Sequence, residues 1–290
     1  MRRGLDRRSM GTAKVDEEGG GVDRIACWTD DEDGGRANLL PGSNPTALHL
    51  TFHVTFLTLL LLEDMAQAEC KTRISWKNVE LVKTVIGRNE NRKDIWKKQC
   101  FGCWLDAKST QPDGQLIHSI LLLQKDLNLE PEFDGIHYIF NNETEPLRFG
   151  PREFCVITGF KFGDNTNKNK GGCGFINRVL SNNILIPFSV DGLKTFLEEN
   201  ENIFDDADIV RLSLLLLLYS LFMGVQTDKK VEQEHLMRVD DFDAWNDYNW
   251  GSYLWGRTYP SLLNVLMKKK IVPGKKLQYS MTGFIWVFKV

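Results

Sequence analysis

Between Asp208 and Gly224 the sequence reads Ile209-Val-Arg-Leu-Ser-Leu-Leu-Leu-Leu-Leu-Tyr-Ser-Leu-Phe-Met223, a run with almost no polar side of its own. Asp208 is placed to cap a helix there and Gly224 to end it. A helix that is apolar nearly all round is stable in water only when other elements enclose it, so this segment is expected at the centre of a domain. It is not expected to cross a membrane. The apolar stretches Leu212–Val225 and Leu48–Leu62 both fall short of the roughly 20 residues a spanning helix needs.

The rest of the chain must supply the enclosure. A hydrophobic content of 42% over 290 residues is enough for a packed core. From Ile74 onward the pattern is regular. Ser75 is a plausible N-cap, and Trp76, Val79, Val82 and Ile86 recur at helical spacing until Gly87. A second, basic helix is expected over Asn91–Gln99. A third over Gln115–Leu127 has Leu116, Ile117, Ile120, Leu121 and Leu127 on one side. Ile136–Phe140 and Leu147–Phe149 read as short strands joined by a polar, turn-rich connection, hence a hairpin. Gly150 and Pro151 open a helix that Gly159 closes. Asp164–Gly174 reads as a loop, and Ser189–Asn200 resumes helical spacing. The last helical candidates are Tyr259–Lys270 and Ser280–Val290.

The fold class that follows is α+β, predominantly α: a single helical domain over residues 70–290 with one small β-hairpin. Residues 1–69 are read as a disordered arm or an extension of the gene, with Met65 a natural domain start. Val15–Arg36 holds eight acidic residues, two basic ones and five glycines. Such a segment buries too little surface to offset its ordering entropy. Ala66-Gln67-Ala68 looks like a small-residue cleavage site, but the preceding region is acidic and contains Pro41 and Pro45, which argues against a signal peptide.

A formal charge of −3 gives no global field toward nucleic acid or an anionic membrane, so any nucleic-acid contact would be local. The candidate is Lys83–Lys98, with six basic and two acidic residues interleaved with Trp96 and followed by Phe101 and Trp104. Basic residues beside aromatic platforms suit single strands. However, Trp96 and Phe101 fall on a stripe that should pack inward, leaving the lysines on a solvated face. A second basic cluster, Lys268–Lys276, would sit at a helix C-terminus.

The six cysteines are dispersed, which favours reduced thiols in a nuclear or cytoplasmic setting. Cys100-x-x-Cys103 lacks the second pair that zinc would require. Cys100, Cys155 and His118 could meet in a folded chain as nucleophile and base. Cys155 nevertheless sits between apolar neighbours on an amphipathic helix and is expected to be a buried, inert thiol. Asp240, Asp241, Asp243 and Asp247, near His235, lack the glycine and terminal glutamate of a calcium loop and read as caps and a solvated turn. Asp205, Asp206 and Asp208 are read the same way. Gly171–Gly174 lacks the Lys-Ser/Thr of a phosphate loop. Trp245–Tyr259 carries three tryptophans and three tyrosines. Most should be core, with any exposed remnant a protein-binding anchor.

Several blocks, in order, resemble one family. Phe101, Gly102, Leu105 and Asp106 belong to Cys100-Phe-Gly-Cys-Trp-Leu-Asp106. His118 closes Gln115-Leu-Ile-His118. Leu147, Phe149, Glu153, Phe154, Thr158 and Gly159 belong to Leu147-Arg-Phe-Gly-Pro-Arg-Glu-Phe-Cys-Val-Ile-Thr-Gly-Phe160. Asp240 and Asp241, then Trp250 and Gly251, then Tyr279, Gly283 and Phe284, carry the later blocks. Together, over about residues 74–290, they resemble the plant domain of unknown function numbered nineteen eighty-five. Asn249 stands where that family suggests proline, and Cys103 where it suggests another residue, often histidine. The hairpin and Gly-ended helix are also distantly similar to the plant mobile domain of transposon origin.

The resemblance implies association with ubiquitin-like-protein-specific cysteine proteases in transposon-derived plant proteins. The protease's own cues, a Trp-His pair and Asp-Cys-Gly after a glutamine, are not in this sequence. The expectation is therefore a non-catalytic module that recruits a substrate or binds a protein partner, with no cofactor, no metal and no membrane. Two alternatives stay open: a nucleic-acid-binding accessory, and a fragment of a larger cysteine protease.

Overall fold

The computed structural model describes residues 68–108, 114–125, 133, 135–140, 145–166, 168–180, 189–264 and 277–289. The arm before residue 68, including Leu48–Leu62 and Val15–Arg36, lies outside the described residues, as do the tip of the hairpin and Lys268–Lys276.

The apolar run forms α6 (Asp206–Leu217) and continues into a wider turn over Leu218–Phe222. There the Met223 amide donates to the Leu218 carbonyl, five residues back. From Leu212 to Phe222 every side chain is buried. The cap is Asp205, not Asp208: the Asp205 carboxylate accepts from the Asp208 amide, and Asp208 lies inside the first turn.

Other helices wrap this axis. α1 (Trp76–Gly87) buries Val79, Val82, Val85 and Ile86. Its Asn78 amide donates 3.0 Å to the Ser220 hydroxyl, satisfying one of the few polar groups on the central helix. Ser75 precedes α1 as expected but makes no side-chain cap. α2 (Glu90–Lys97) is capped by Asn89, and α5 (Val190–Asn200) by Ser189, whose hydroxyl accepts from the Gly192 amide. α7 (Gln233–Arg238), α8 (Phe242–Asp247) and α9 (Trp250–Asn264) close the remaining sides.

Two small sheets complete the architecture. β2 (Gln124–Lys125), β3 (Ile136–Tyr138) and β4 (Leu147–Phe149) are antiparallel in that order, with Ile136 opposite Phe149. The hairpin stands, widened by one strand. α3 (Gly114–Leu122) therefore stops short of Leu127, because Gln124 and Lys125 pair with Tyr138 and His137 instead of continuing the helix. α4 (Pro151–Thr158) has the expected bounds: Pro151 starts it, Glu153 accepts from the Gly150 amide, and Gly159 at φ 71 ends it in the left-handed region.

The second sheet replaces an expected helix. β1 (Ala68–Thr72) and β5 (Leu277–Met281) run parallel, with Cys70 opposite Tyr279, and only Ile285–Lys289 is helical, as a short 3-10 turn. Leu277, Tyr279 and Met281 alternate at the strand period, and β1 provides backbone partners that no local helix could better.

An ion-pair cluster ties α2 to the ends of α5 and α6. Arg92, largely buried, donates to Glu201 at 2.9 Å, to Asp206 at 2.8 Å and to the Val85 carbonyl at 3.2 Å. Removing one partner of a buried pair strands the other charge. Arg92→Ala is expected to cost about 3–5 kcal/mol in urea unfolding, while Arg92→Ala combined with Glu201→Ala costs less than the sum of the single changes. Strict additivity would show that the pair is not coupled.

Candidate binding groove

Three backbone segments converge near the end of the central helix. The Gly283 amide donates to the Met223 carbonyl at 2.7 Å, and a Cβ on Gly224 would lie 2.9 Å from the Gly283 carbonyl oxygen. With φ values of 50 and 93, these two glycines permit a crossing that other residues would obstruct. The Arg73 amide donates to the Met281 carbonyl and the Ser75 amide to that of Ser220, which fixes the end of β1 beside β5. The turn after Gly224 is held from the other side: the Val190 and Asp191 amides at the start of α5 donate to the Lys229 and Thr227 carbonyls, each at 2.9 Å.

These constraints leave an open groove of about 540 Å³ lined by Arg73, Val225, Gln226, Asp228, Lys229, Lys230, Ser280 and Thr282. Its charges are three cations and one carboxylate. None of Arg73, Asp228, Lys229 and Lys230 makes an ion pair or side-chain hydrogen bond among the described residues. Sequence reading gave no sign of this site. Lys229 and Lys230 are neighbours, but Arg73 reaches them only through the β1–β5 pairing.

The residues that did stand out in the sequence go elsewhere. Lys83 bonds to Glu80 and to the Ala107 carbonyl, Arg88 to Glu201, Lys93 to Glu90, and Lys97 pairs with Asp94 at 3.9 Å. With Arg92 buried, five of the six cations of Lys83–Lys98 have an acidic neighbour. Trp96 and Phe101 are fully buried, so neither offers a stacking face.

The thiols and imidazoles are likewise dispersed. The Cys155 sulfur packs on Gly251, where an added Cβ would sit 2.3 Å from it. Burial, reinforced by the Glu153 charge, pushes its pKa up to about 12. His118 is buried with Nδ1 2.8 Å from the Tyr279 hydroxyl, and Cys70, across the strand pair, is pushed up to about 11 by burial. The Cys100 amide donates to Asn246. No group of three or more His, Cys, Asp or Glu side chains suited to a metal ion occurs among the described residues.

The residues of the resemblance blocks mostly hold the fold together. Phe101 is ringed by Phe160, Phe222, Trp245 and Trp250 at centroid distances of 4.6–5.4 Å. Gly102 lies against the Trp96 carbonyl, and Leu105 and Asp106 end the turn over Gly102–Asp106. Leu147 and Phe149 form β4. Phe154 is fully buried, and the Thr158 hydroxyl donates to its carbonyl. Asp240 accepts from the Gly174 and Phe175 amides, and Asp241 caps α8 through the Asp243 and Ala244 amides. The Trp250 indole donates to the Trp245 carbonyl, and Phe284 is fully buried. Asn249 has a reason of its own: its amide donates 3.0 Å to the Asn165 side chain, a bond proline cannot make.

Most of the aromatic segment is spent inside, with Tyr253 and Tyr259 half-buried. Trp245, Tyr248, Trp250 and Trp255 are buried, and Arg238, 1% exposed, lies 3.8 Å from the centroid of the Tyr248 ring. The exposed large apolar groups among the described residues are scattered, at Leu122 (47%), Val156 (83%), Phe162 (58%) and Ile203 (70%). A polar cluster that sequence reading missed joins α7 to α9: Tyr253 and Arg257 both bond to Glu232, while the Tyr219 hydroxyl lies 2.8 Å from His235 Nδ1. Burial, only partly opposed by Glu234, lowers the pKa of His235 to about 3.

Residues 134–259 match the family described as Domain of unknown function (DUF1985). The span runs from the hairpin to α9, so the blocks at Cys100–Asp106, Gln115–His118 and Tyr279–Phe284 lie outside it. No curated protein and no solved structure matches the chain. Among the described residues, no helix is long and apolar enough to cross a membrane.

Two measurements test this layout. Under native conditions at mildly alkaline pH, iodoacetamide followed by mass mapping should label exposed Cys173 and leave Cys70 and Cys155 unmodified until the chain is unfolded. Equal rates at Cys155 and Cys173 would contradict the packing. Because the folded His235 value lies below the ordinary 6.5, the unfolded chain takes up the proton first. The stabilisation is thus complete above about 6.5 and declines as pH falls toward about 3. Urea midpoints taken from pH 7 to 5 should drop, and His235→Gln should flatten that slope.

Proposed function

We propose that this chain, whose residues 134–259 carry the domain of unknown function DUF1985, is a non-catalytic protein-interaction module that recruits a partner or substrate. The observation that carries the reading is the groove of Arg73, Lys229, Lys230, Ser280 and Thr282, whose cations are not consumed by the fold. Its lining has no thiol or imidazole and only one carboxylate, and it offers ionic and hydrogen-bonding contacts. The sequence blocks that resemble the plant family support a setting in transposon-derived, ubiquitin-like-protease-associated plant proteins. The thiols at Cys70, Cys155 and Cys173, dispersed along the described residues, support a nuclear or cytoplasmic one.

A photo-crosslinking residue placed at Gln226 or Thr282 is expected to trap a defined protein in cell extract. The same residue at Asp94 on α2, outside the groove, should not trap it. Identical products from all three positions, or none from the groove, would refute the interaction reading.

The nucleic-acid alternative draws on Lys83–Lys98, and the pairing of those cations with acidic neighbours weakens its electrostatic basis. The interaction reading is favoured for that reason.

A further inference from the structure

We infer that the groove between β5 and the turn 225–230 binds an acidic stretch of partner polypeptide in extended conformation. The inference rests on the interaction reading and names the chemistry of its partner. The chain as a whole carries a net charge of −3, yet this groove gathers three cations against one carboxylate. The contrast with α2 is informative. There the fold sets an acid beside nearly every base, whereas here Arg73, Lys229 and Lys230 have no anionic partner among the described residues. The three cations leave a local positive potential that complements an anionic ligand.

The shape of the lining selects an extended chain. Ser280 lies in β5 and Thr282 directly follows its last residue, Met281; both are exposed and both line the groove, so two hydroxyls stand two residues apart along one wall. That is also the repeat of alternate side chains in an extended peptide, so successive acidic groups can each meet a hydroxyl on one wall and a cation on the other. The walls are held by backbone bonds, from β1 to β5 and from the start of α5 to the turn, so little ordering is required on binding. Single-stranded nucleic acid fits less well, because the lining has no aromatic ring on which a base could stack. A membrane surface fits less well because the lining offers no exposed large apolar side chain to insert.

The test uses the full chain and a fluorescently labelled peptide of alternating Glu and Ser, with a Lys-Ser peptide and an oligothymidylate as comparison ligands, read by fluorescence anisotropy. The acidic peptide should bind, the basic one should not, and affinity should fall with added salt. Lys229→Glu combined with Lys230→Glu should weaken binding by about tenfold or more, and Asp228→Asn should strengthen it. Lys97→Glu combined with Lys98→Glu, outside the groove, should leave it unchanged. Both lysine pairs are exposed, so circular dichroism and thermal melting should confirm that the variants remain folded. Absence of binding by the wild type, equal weakening by both charge reversals, or tighter binding of the oligothymidylate would overturn the inference. If a partner is trapped at Gln226 yet still binds the Lys229→Glu/Lys230→Glu protein, the acidic-peptide assignment fails while the interaction reading stands.

Discussion

A helix that shows leucine to every side has to be surrounded, and the order in which the other segments meet it decides most of this structure. α6 and the wide turn after it bury every side chain from Leu212 to Phe222, at roughly 1.5–3 kcal/mol for each large apolar group removed from water. Its few polar atoms then dictate who the neighbours are. Ser220 takes Asn78 of α1 on its hydroxyl and Ser75 on its carbonyl, and Met223 takes the Gly283 amide. Segments from both ends of the described chain are thereby drawn to one end of the helix, and the groove forms where they meet.

Charge is distributed according to burial. Arg92 sits between Glu201 and Asp206 because an unpaired guanidinium in that position would cost several kcal/mol, far more than an exposed pair contributes. Asp208 is shared by Arg178 and Arg211 in the same manner, and Arg238 rests on Tyr248 while bonding to Glu234. Against this background of neutralised cations, Arg73, Lys229 and Lys230 differ in kind from the basic residues of α2, although the sequence makes α2 look the more basic region. Local density of lysine and arginine is a poor guide when the acids that neutralise them come from other elements.

The resemblance blocks owe their composition largely to close approach. Gly102 and Gly251 sit where backbone or sulfur leaves no room for a Cβ, and Gly283 meets Thr258 in addition to its positive φ. Phe101, Trp250 and Phe284 are the large groups those approaches enclose. A motif of this type records how elements fit together more than what they bind, and it is consistent with a groove that lies mainly beside the motifs and not within them.

Local chemistry was readable where a segment's fate depends on its own residues. Pro151 and Gly159 bound α4, Ser189 caps α5, and the alternation in Ile136–Phe140 and Leu147–Phe149 makes strands, because caps, turns and periodicity act over a few residues. The central place of the Leu-rich helix was readable for the same reason. Tertiary pairing decided the rest. β5 is a strand because β1 meets it, α3 ends at Leu122 because Gln124 reaches Tyr138, and Asp208, inside the first turn that Asp205 caps, pairs with Arg178 and Arg211. The sequence by itself thus determined which helix is buried and where several elements begin and end, through short-range hydrogen bonding and apolar periodicity. Only the folded chain decided which charges are neutralised and which remain available, since that depends on Coulombic partners brought together from distant parts of the sequence.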